Sequence, residues 1–147
     1  MSRITGFAKA LGAACAVGVT LYAAAGLAAA IGPTFTSFDP PGSTNTEVIA
    51  MNGGGAIAGF YADTVSVIHG FVRAADGTIT TFDPAGSTET NVGGINKSGA
   101  ITGFWIDGSA VYHGYVRAAD GTITTFDPVG STGTMPFGIN KDRKSVV

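Results

Sequence analysis

His69 and His113 are the chain's two histidines, and both stand in the string His-Gly-aromatic-Val-Arg. Two chemistries fit them. A ring of imidazoles around a channel would supply metal ligands or general bases. Alternatively, a histidine that recurs with its surroundings would hydrogen-bond a neighbouring strand in each copy. The second reading is preferred, because a residue tied to a repeat serves the repeat. No acidic residue stands beside either histidine in the sequence, and neither His-x-His nor His-Glu-x-x-His spacing occurs for zinc.

Asp39, Asp83 and Asp127 each precede Pro and a Gly-Ser-Thr cluster. Calcium could use such a carboxylate with loop carbonyls. One carboxylate per loop is thin, however, and turn formation explains the pattern. Arg73 and Arg117 stand just before Asp76-Gly77 and Asp120-Gly121, where an ion pair between sheets would fit. If exposed, it would contribute only about 0–1 kcal/mol. Trp105 replaces Tyr61, and with Phe60 and Phe104 it is expected to form one aromatic cluster on a strand face. Core packing explains such a cluster more simply than sugar stacking. Gly-x-Ser-x-Gly, a phosphate loop and a dinucleotide fingerprint are all absent. No catalytic, cofactor-binding or metal residue is assigned, and no cofactor is expected.

The elements that would position these residues come from repetition. Phe-Asp-Pro recurs at Phe38, Phe82 and Phe126, a spacing of 44. Residues 38–81 slide onto 82–125 without a gap, and 28 of the 44 positions are identical. A partial third copy covers 126–141. Within the second copy, four short strands are predicted: Thr90–Asn96, Ala100–Ile106, Val111–Arg117 and Thr122–Phe126. Asp-Gly pairs between apolar runs mark hairpins, and Asp127-Pro128 stops the last strand. The fold class is therefore all-β, with tandem four-stranded repeats of 44 residues. That period matches a propeller blade of about 40–45 residues; a β-solenoid is the rival. Gly59/Gly103 and Gly70/Gly114 sit inside strands, where glycine normally costs stability. Close packing of sheets near a central axis would explain them.

The unit resembles the HAF-type extracellular repeat of bacteria. The matching residues are His69-Gly70-Phe71, His113-Gly114-Tyr115 and Ile95-Asn96-Lys97-Ser98-Gly99-Ala100-Ile101-Thr102-Gly103. Gly replaces the central Ala of that pattern, and the first copy has Met51-Asn52 for Ile-Asn. The likeness covers roughly residues 34–141. It implies a secreted or surface repeat protein, propeller-like in build, and no activity that can be carried over.

The ends have a different character. Arg3 and Lys9 are the only charges before Asp39, and an uncharged Ala/Gly/Leu-rich stretch runs from Ala10 to Gly32. A basic start, an apolar middle and small residues at the end make residues 1–30 a secretory signal peptide, cleaved near Ala30. An uncleaved anchor is the alternative. Cys15, the only cysteine, lies inside this segment, so disulfides and thiolate metal sites are excluded after cleavage. At the other end, residues 142–147 break the repeat and offer no strand. Asp-Arg-Lys-Ser-Val-Val can be encoded by the start of a common sequencing adapter, so a non-native or frameshifted tail is expected. The repeats would then be a truncated fragment of a longer array.

Composition narrows the function. Charged residues make up 12% of the 147, and the net charge is −2. From residue 31 onward six Lys/Arg face ten Asp/Glu. No basic patch exists for a nucleic acid, and no membrane contact is expected after cleavage. The expectation is a secreted, periplasmic or cell-surface β-repeat protein acting as a binding or structural module, with an unknown ligand or surface partner. Open sheet edges would favour self-association. A fragment of a secreted propeller-type hydrolase or lyase, its active site in other repeats, is the competing reading.

Overall fold

The computed structural model describes residues 35–140 and the pair 145–146. The expected export segment 1–30 lies outside the described residues, as do 141–144 and 147 of the C-terminal segment. The chain divides after Ser37. Phe35–Ser37 is exposed and carries no regular structure, and every described strand belongs to the unit Phe38–Val147.

The first sheet is built from β1 (Asn45–Met51), β2 (Ile57–Ala62), β3 (Ile68–Arg73) and β4 (Ile79–Phe82). The second is built from β5 (Glu89–Ile95), β6 (Ile101–Ile106), β7 (Tyr112–Arg117) and β8 (Ile123–Phe126). Both are antiparallel and run in sequence order. Their registers are the same 44 residues apart: Gly70 pairs with Phe82, and Gly114 with Phe126. The first pair of each sheet shifts register at one place, between Val48 and Ala50 and between Val92 and Gly94. These shifts are β-bulges, each adding one residue to the first strand.

Hairpin chemistry explains the turns. Gly77 and Gly121 adopt φ of 94° and 95°, which only glycine reaches without strain, and each closes an Ala-Ala-Asp-Gly turn. The Asp-containing turns between β2 and β3 and between β6 and β7 put Ser66 and Ala110 at φ 67° and 62°.

The two sheets pack face to face. Successive strand residues point to opposite faces, so Ala58, Val72 and Phe82 share one face of the first sheet. Val92, Ile101 and Tyr115 meet that face from the second sheet, forming one core cluster. Ile101 and Tyr115 are fully buried, each stabilising by about 1.5–3 kcal/mol. The Phe82 and Tyr115 rings meet edge to face at 6.0 Å.

Some expectations change. The recurring strand glycines answer to close approaches inside each sheet. A Cβ on Gly103 would overlap the backbone carbonyl oxygen of Asn91 at the bulge, and one on Gly114 would stand 2.9 Å from the Phe126 ring. The arginines stack on aromatic rings: Arg73 over Phe38 and Arg117 over Phe82, both 5.0 Å from the centroid. Coulombic attraction does link Arg73 with Asp76, but within one hairpin. Burial strips the Arg117 guanidinium of water, and a ring face suits it. The C-terminal segment, expected to offer no strand, supplies β10 (Ser145–Val146). It pairs with β9 (Gly138–Ile139). Among the described residues, no helix is long and apolar enough to cross a membrane.

Candidate functional site

The most concentrated polar chemistry surrounds the two histidines. His69 lies on β3, where its strand partner is Tyr61; His113 lies on β7 opposite Trp105. The paired rings are in contact, Trp105 stacked on His113 at 4.5 Å and Tyr61 tilted against His69 at 5.2 Å. The expected single aromatic cluster therefore does not form. Trp105 and Phe104 point to opposite faces, and Phe104 packs with Tyr112 at 5.7 Å and Phe137 at 6.4 Å.

Each imidazole sits between two carboxylates, despite the lack of acidic sequence neighbours. His69 Nδ1 is 2.8 Å from Asp83 Oδ2, and its Nε2 is 3.5 Å from Asp63 Oδ2. His113 Nδ1 is 2.7 Å from Asp127 Oδ2, and its Nε2 is 3.4 Å from Asp107 Oδ2. One acid comes from the preceding turn. The other comes from Phe-Asp-Pro, 14 residues further on. The chain folds back through a complete hairpin to bring them together.

The turn acids are fixed before they meet the histidine. Asp63 Oδ1 accepts from the backbone N–H of Val65 and Val67, and Asp107 Oδ1 from Ser109 and Val111. The Phe-Asp-Pro acids reach the next segment as well. Thr90 donates its hydroxyl to Asp83 Oδ1 at 2.6 Å, and Thr134 donates to Asp127. Thr90 and Thr134 are buried. Asp83 thus joins β3 of the first sheet to β5 of the second.

Electrostatics follow the geometry. Burial works to lower the His69 pKa, but the hydrogen bonds and charges of Asp83 and Asp63 outweigh it and hold the value above the ordinary one. The hydrogen bond to Asp127 leads in raising His113, against some desolvation. Asp127 is lowered in turn, chiefly by His113. Asp63 and Asp107 are lowered first by the N–H groups of Val67 and Val111. Carboxylates at both ring nitrogens favour the imidazolium, which has no lone pair for a metal or a substrate proton.

A cleft of ≈ 160 Å³ opens beside this group, bounded by His69, Asp83, Ser87 and Thr88 with Val67 and Pro84. Among the described residues, no group of three or more His, Cys, Asp or Glu could hold a metal ion. Asp39 is exposed, and the acids paired with the two histidines are Asp63, Asp83, Asp107 and Asp127.

A second polar device also runs from unit to unit. Asn52 Nδ2 donates to the Asn96 carbonyl at 3.1 Å, and Asn96 Nδ2 to the Asn140 carbonyl at 2.8 Å, each a step of 44 residues. Sequence reasoning missed this asparagine series, and it missed Asp63, Asp107, Thr90 and Thr134. The available signal was their recurrence: every one of these polar residues reappears 44 positions on or back. No family model, curated protein or solved structure matches the chain.

Proposed function

We propose that the chain is an exported β-repeat protein of the binding or structural kind, its four-stranded units stacked in a propeller-like array. The observation that carries this reading is the occupation of both nitrogens of both imidazoles by carboxylates. A catalytic or metal-binding histidine keeps one nitrogen for its substrate or ion. These keep none, and they recur as the units recur. Their work is to fasten each sheet to the link that leads onward. The likeness of Ile95–Gly103 and of the His-Gly-aromatic strings to HAF-type repeats supports the same reading, as does the basic-apolar start for export.

The test is the double variant His69→Gln/His113→Gln. Loss of two fastenings should lower Tm by roughly 4–8 °C or more, since about 1 kcal/mol moves a domain of this size by that much. An unchanged Tm would show that the imidazoles do not hold the sheets together, and the structural reading would fall.

A further inference from the structure

Asparagine occurs at Asn45, Asn52, Asn91, Asn96 and Asn140, and only Asn52 is followed by glycine. The first unit departs from the second at this point. Asn52-Gly53-Gly54-Gly55 stands where Asn96-Lys97-Ser98-Gly99 stands 44 residues later.

Asn52 leads from β1 into the turn before β2. Its Oδ1 accepts from the backbone N–H of Gly54 at 2.9 Å and of Ala56 at 3.1 Å. The bond from Gly54 closes a ring that contains both the carboxamide carbon Cγ and the Gly53 nitrogen. The carboxamide therefore lies over the backbone that follows it, and a Cβ on Gly54 would stand 3.3 Å from Oδ1. Gly53 is exposed, with nothing within 4 Å of the place a Cβ would take. Asn52 is half-buried, whereas Asn96 is buried.

Two backbone donors on Oδ1 suit an attack on Cγ. Negative charge develops on that oxygen in the tetrahedral adduct, and fixed N–H groups stabilise it there. The Gly53 nitrogen is tethered to the carbon it would attack, so the reaction is intramolecular. Asn96 Oδ1 accepts comparable bonds from the Ala100 N–H at 2.9 Å and the Ser98 hydroxyl at 2.8 Å. Lys97 follows it, however, and a side chain on the attacking residue obstructs the approach that glycine leaves open.

We propose that Asn52-Gly53 is a site of spontaneous covalent modification, at which the Gly53 nitrogen displaces the Asn52 amide as ammonia. Hydroxide removes the Gly53 amide proton, the nitrogen bonds to Cγ, and the carbonyl electron pair moves onto Oδ1. The adduct collapses with cleavage of the Cγ–Nδ2 bond. Nδ2 leaves as ammonia with a proton from water, which restores the hydroxide. The cyclic imide then takes up water. Opening at Cγ gives aspartate at position 52. Opening at the main-chain carbonyl gives isoaspartate, with the backbone rerouted through Cβ and Cγ. Both products lose the Nδ2 bond to the Asn96 carbonyl. Isoaspartate also lengthens the β1–β2 turn. The tie between the sheets thereby loosens as the protein ages.

Storage of the whole folded chain at mildly alkaline pH tests this, with peptide mass spectrometry locating each amide lost. Asn52 should lose its amide and yield both isoaspartate and aspartate, while Asn96 and Asn140 keep theirs. Gly53→Lys gives the turn the residue of position 97. Gly53 is not among the glycines with positive φ and has open space around it, so the fold should accept the side chain. In this variant Asn52 should keep its amide. Gly53→Ala, a smaller change, should slow the loss if lysine disturbs the turn. The parent's Tm should fall in step with conversion, and that of Gly53→Lys should hold. An Asn52 that keeps its amide in the folded parent overturns the proposal, whatever happens in urea. So does aspartate without isoaspartate, since direct attack by water at Cγ gives aspartate alone. Equal conversion in the parent and both variants overturns the role of Gly53, and conversion without a fall in Tm overturns the loosening. Each readout follows one peptide bond and stands apart from whether the units form an array.

Discussion

His69 Nδ1 and Asp83 Oδ2 lie 2.8 Å apart and span the junction between two sheets: the histidine belongs to β3, and the aspartate opens the link to β5. Asp83 passes the connection on through the 2.6 Å bond from Thr90. The junction is therefore held by a charge-assisted pair as well as by the apolar cluster around Phe82 and Tyr115.

That arrangement makes stability depend on pH in a definite direction. The folded His69 and His113 pKa values lie above the ordinary 6.5. Their contribution is full below that value and is lost as pH rises through the folded values. Asp63, Asp107 and Asp127 lie below the ordinary 3.8, so their contribution is present above it and is lost as pH falls through the folded values. Urea midpoints should be highest between these limits and decline as pH rises above the ordinary histidine value of 6.5. His69→Gln/His113→Gln should flatten the alkaline decline. A decline that survives the double substitution would assign it to other groups.

Asn96 is 5% exposed and serves two units at once. Its Nδ2 reaches the Asn140 carbonyl, while its Oδ1 accepts from the Ala100 N–H at 2.9 Å and the Ser98 hydroxyl at 2.8 Å. Asn96→Ala orphans the buried Ala100 N–H and should cost about 2–3 kcal/mol in urea unfolding. Asn96→Asp keeps the acceptor for the turn but sets a carboxylate oxygen against the Asn140 carbonyl, so it should also destabilise, and its cost should shrink as falling pH protonates the carboxyl and restores a donor. A cost for Asn96→Asp that does not change with pH would contradict this contact.

The strands were legible because their signals are local. β6 and β7 begin within one residue of the expected Ala100 and Val111, and the Asp-Gly hairpins fall where turn chemistry puts them. Asn96 was expected to end a strand, but its side chain caps the turn beyond β5. The site was less legible because its partners meet only through tertiary structure. Asp83 stands 14 residues from His69, and an expectation based on sequence neighbours cannot see across a hairpin. The arginines misled for a related reason. Asp76 and Asp120 do attract Arg73 and Arg117, but within each hairpin rather than between sheets, and β3 and β7 carry the guanidiniums over aromatic rings.

Two strand glycines separate backbone from side-chain crowding. A Cβ on Gly103 would overlap the Asn91 backbone carbonyl, which the bulged ladder fixes, and would also stand 2.8 Å from the Tyr115 hydroxyl. The atoms nearest to a Cβ on Gly70 all belong to the Phe82 ring, a side chain that can shift more readily than backbone. Gly70→Ala should cost about 1–3 kcal/mol, the usual range for overpacking, and Phe82→Leu in the same chain should recover part of it. Gly103→Ala should cost more and resist rescue by any one side-chain change. Chemical unfolding of the three variants ranks them, and a smaller cost for Gly103→Ala would contradict the close approach at the bulge.

Ala110 offers a gain in stability. Its φ of 62° is left-handed, a conformation that strains any residue with a Cβ. The turn holds it there through the Ala110 N–H to the Asp107 carbonyl at 3.0 Å and through the Asp107 side-chain bonds to Ser109 and Val111. Ala110→Gly removes the strain but adds freedom to the unfolded chain, leaving a net gain of about 0.5 kcal/mol. Ala119 is also an exposed turn alanine, but it is not among the residues with positive φ. Ala119→Gly therefore incurs only the entropic cost and should destabilise. Opposite signs for the two substitutions, read as shifts in urea midpoint, would tie the gain to backbone conformation; the same sign for both would leave the left-handed turn without an energetic consequence.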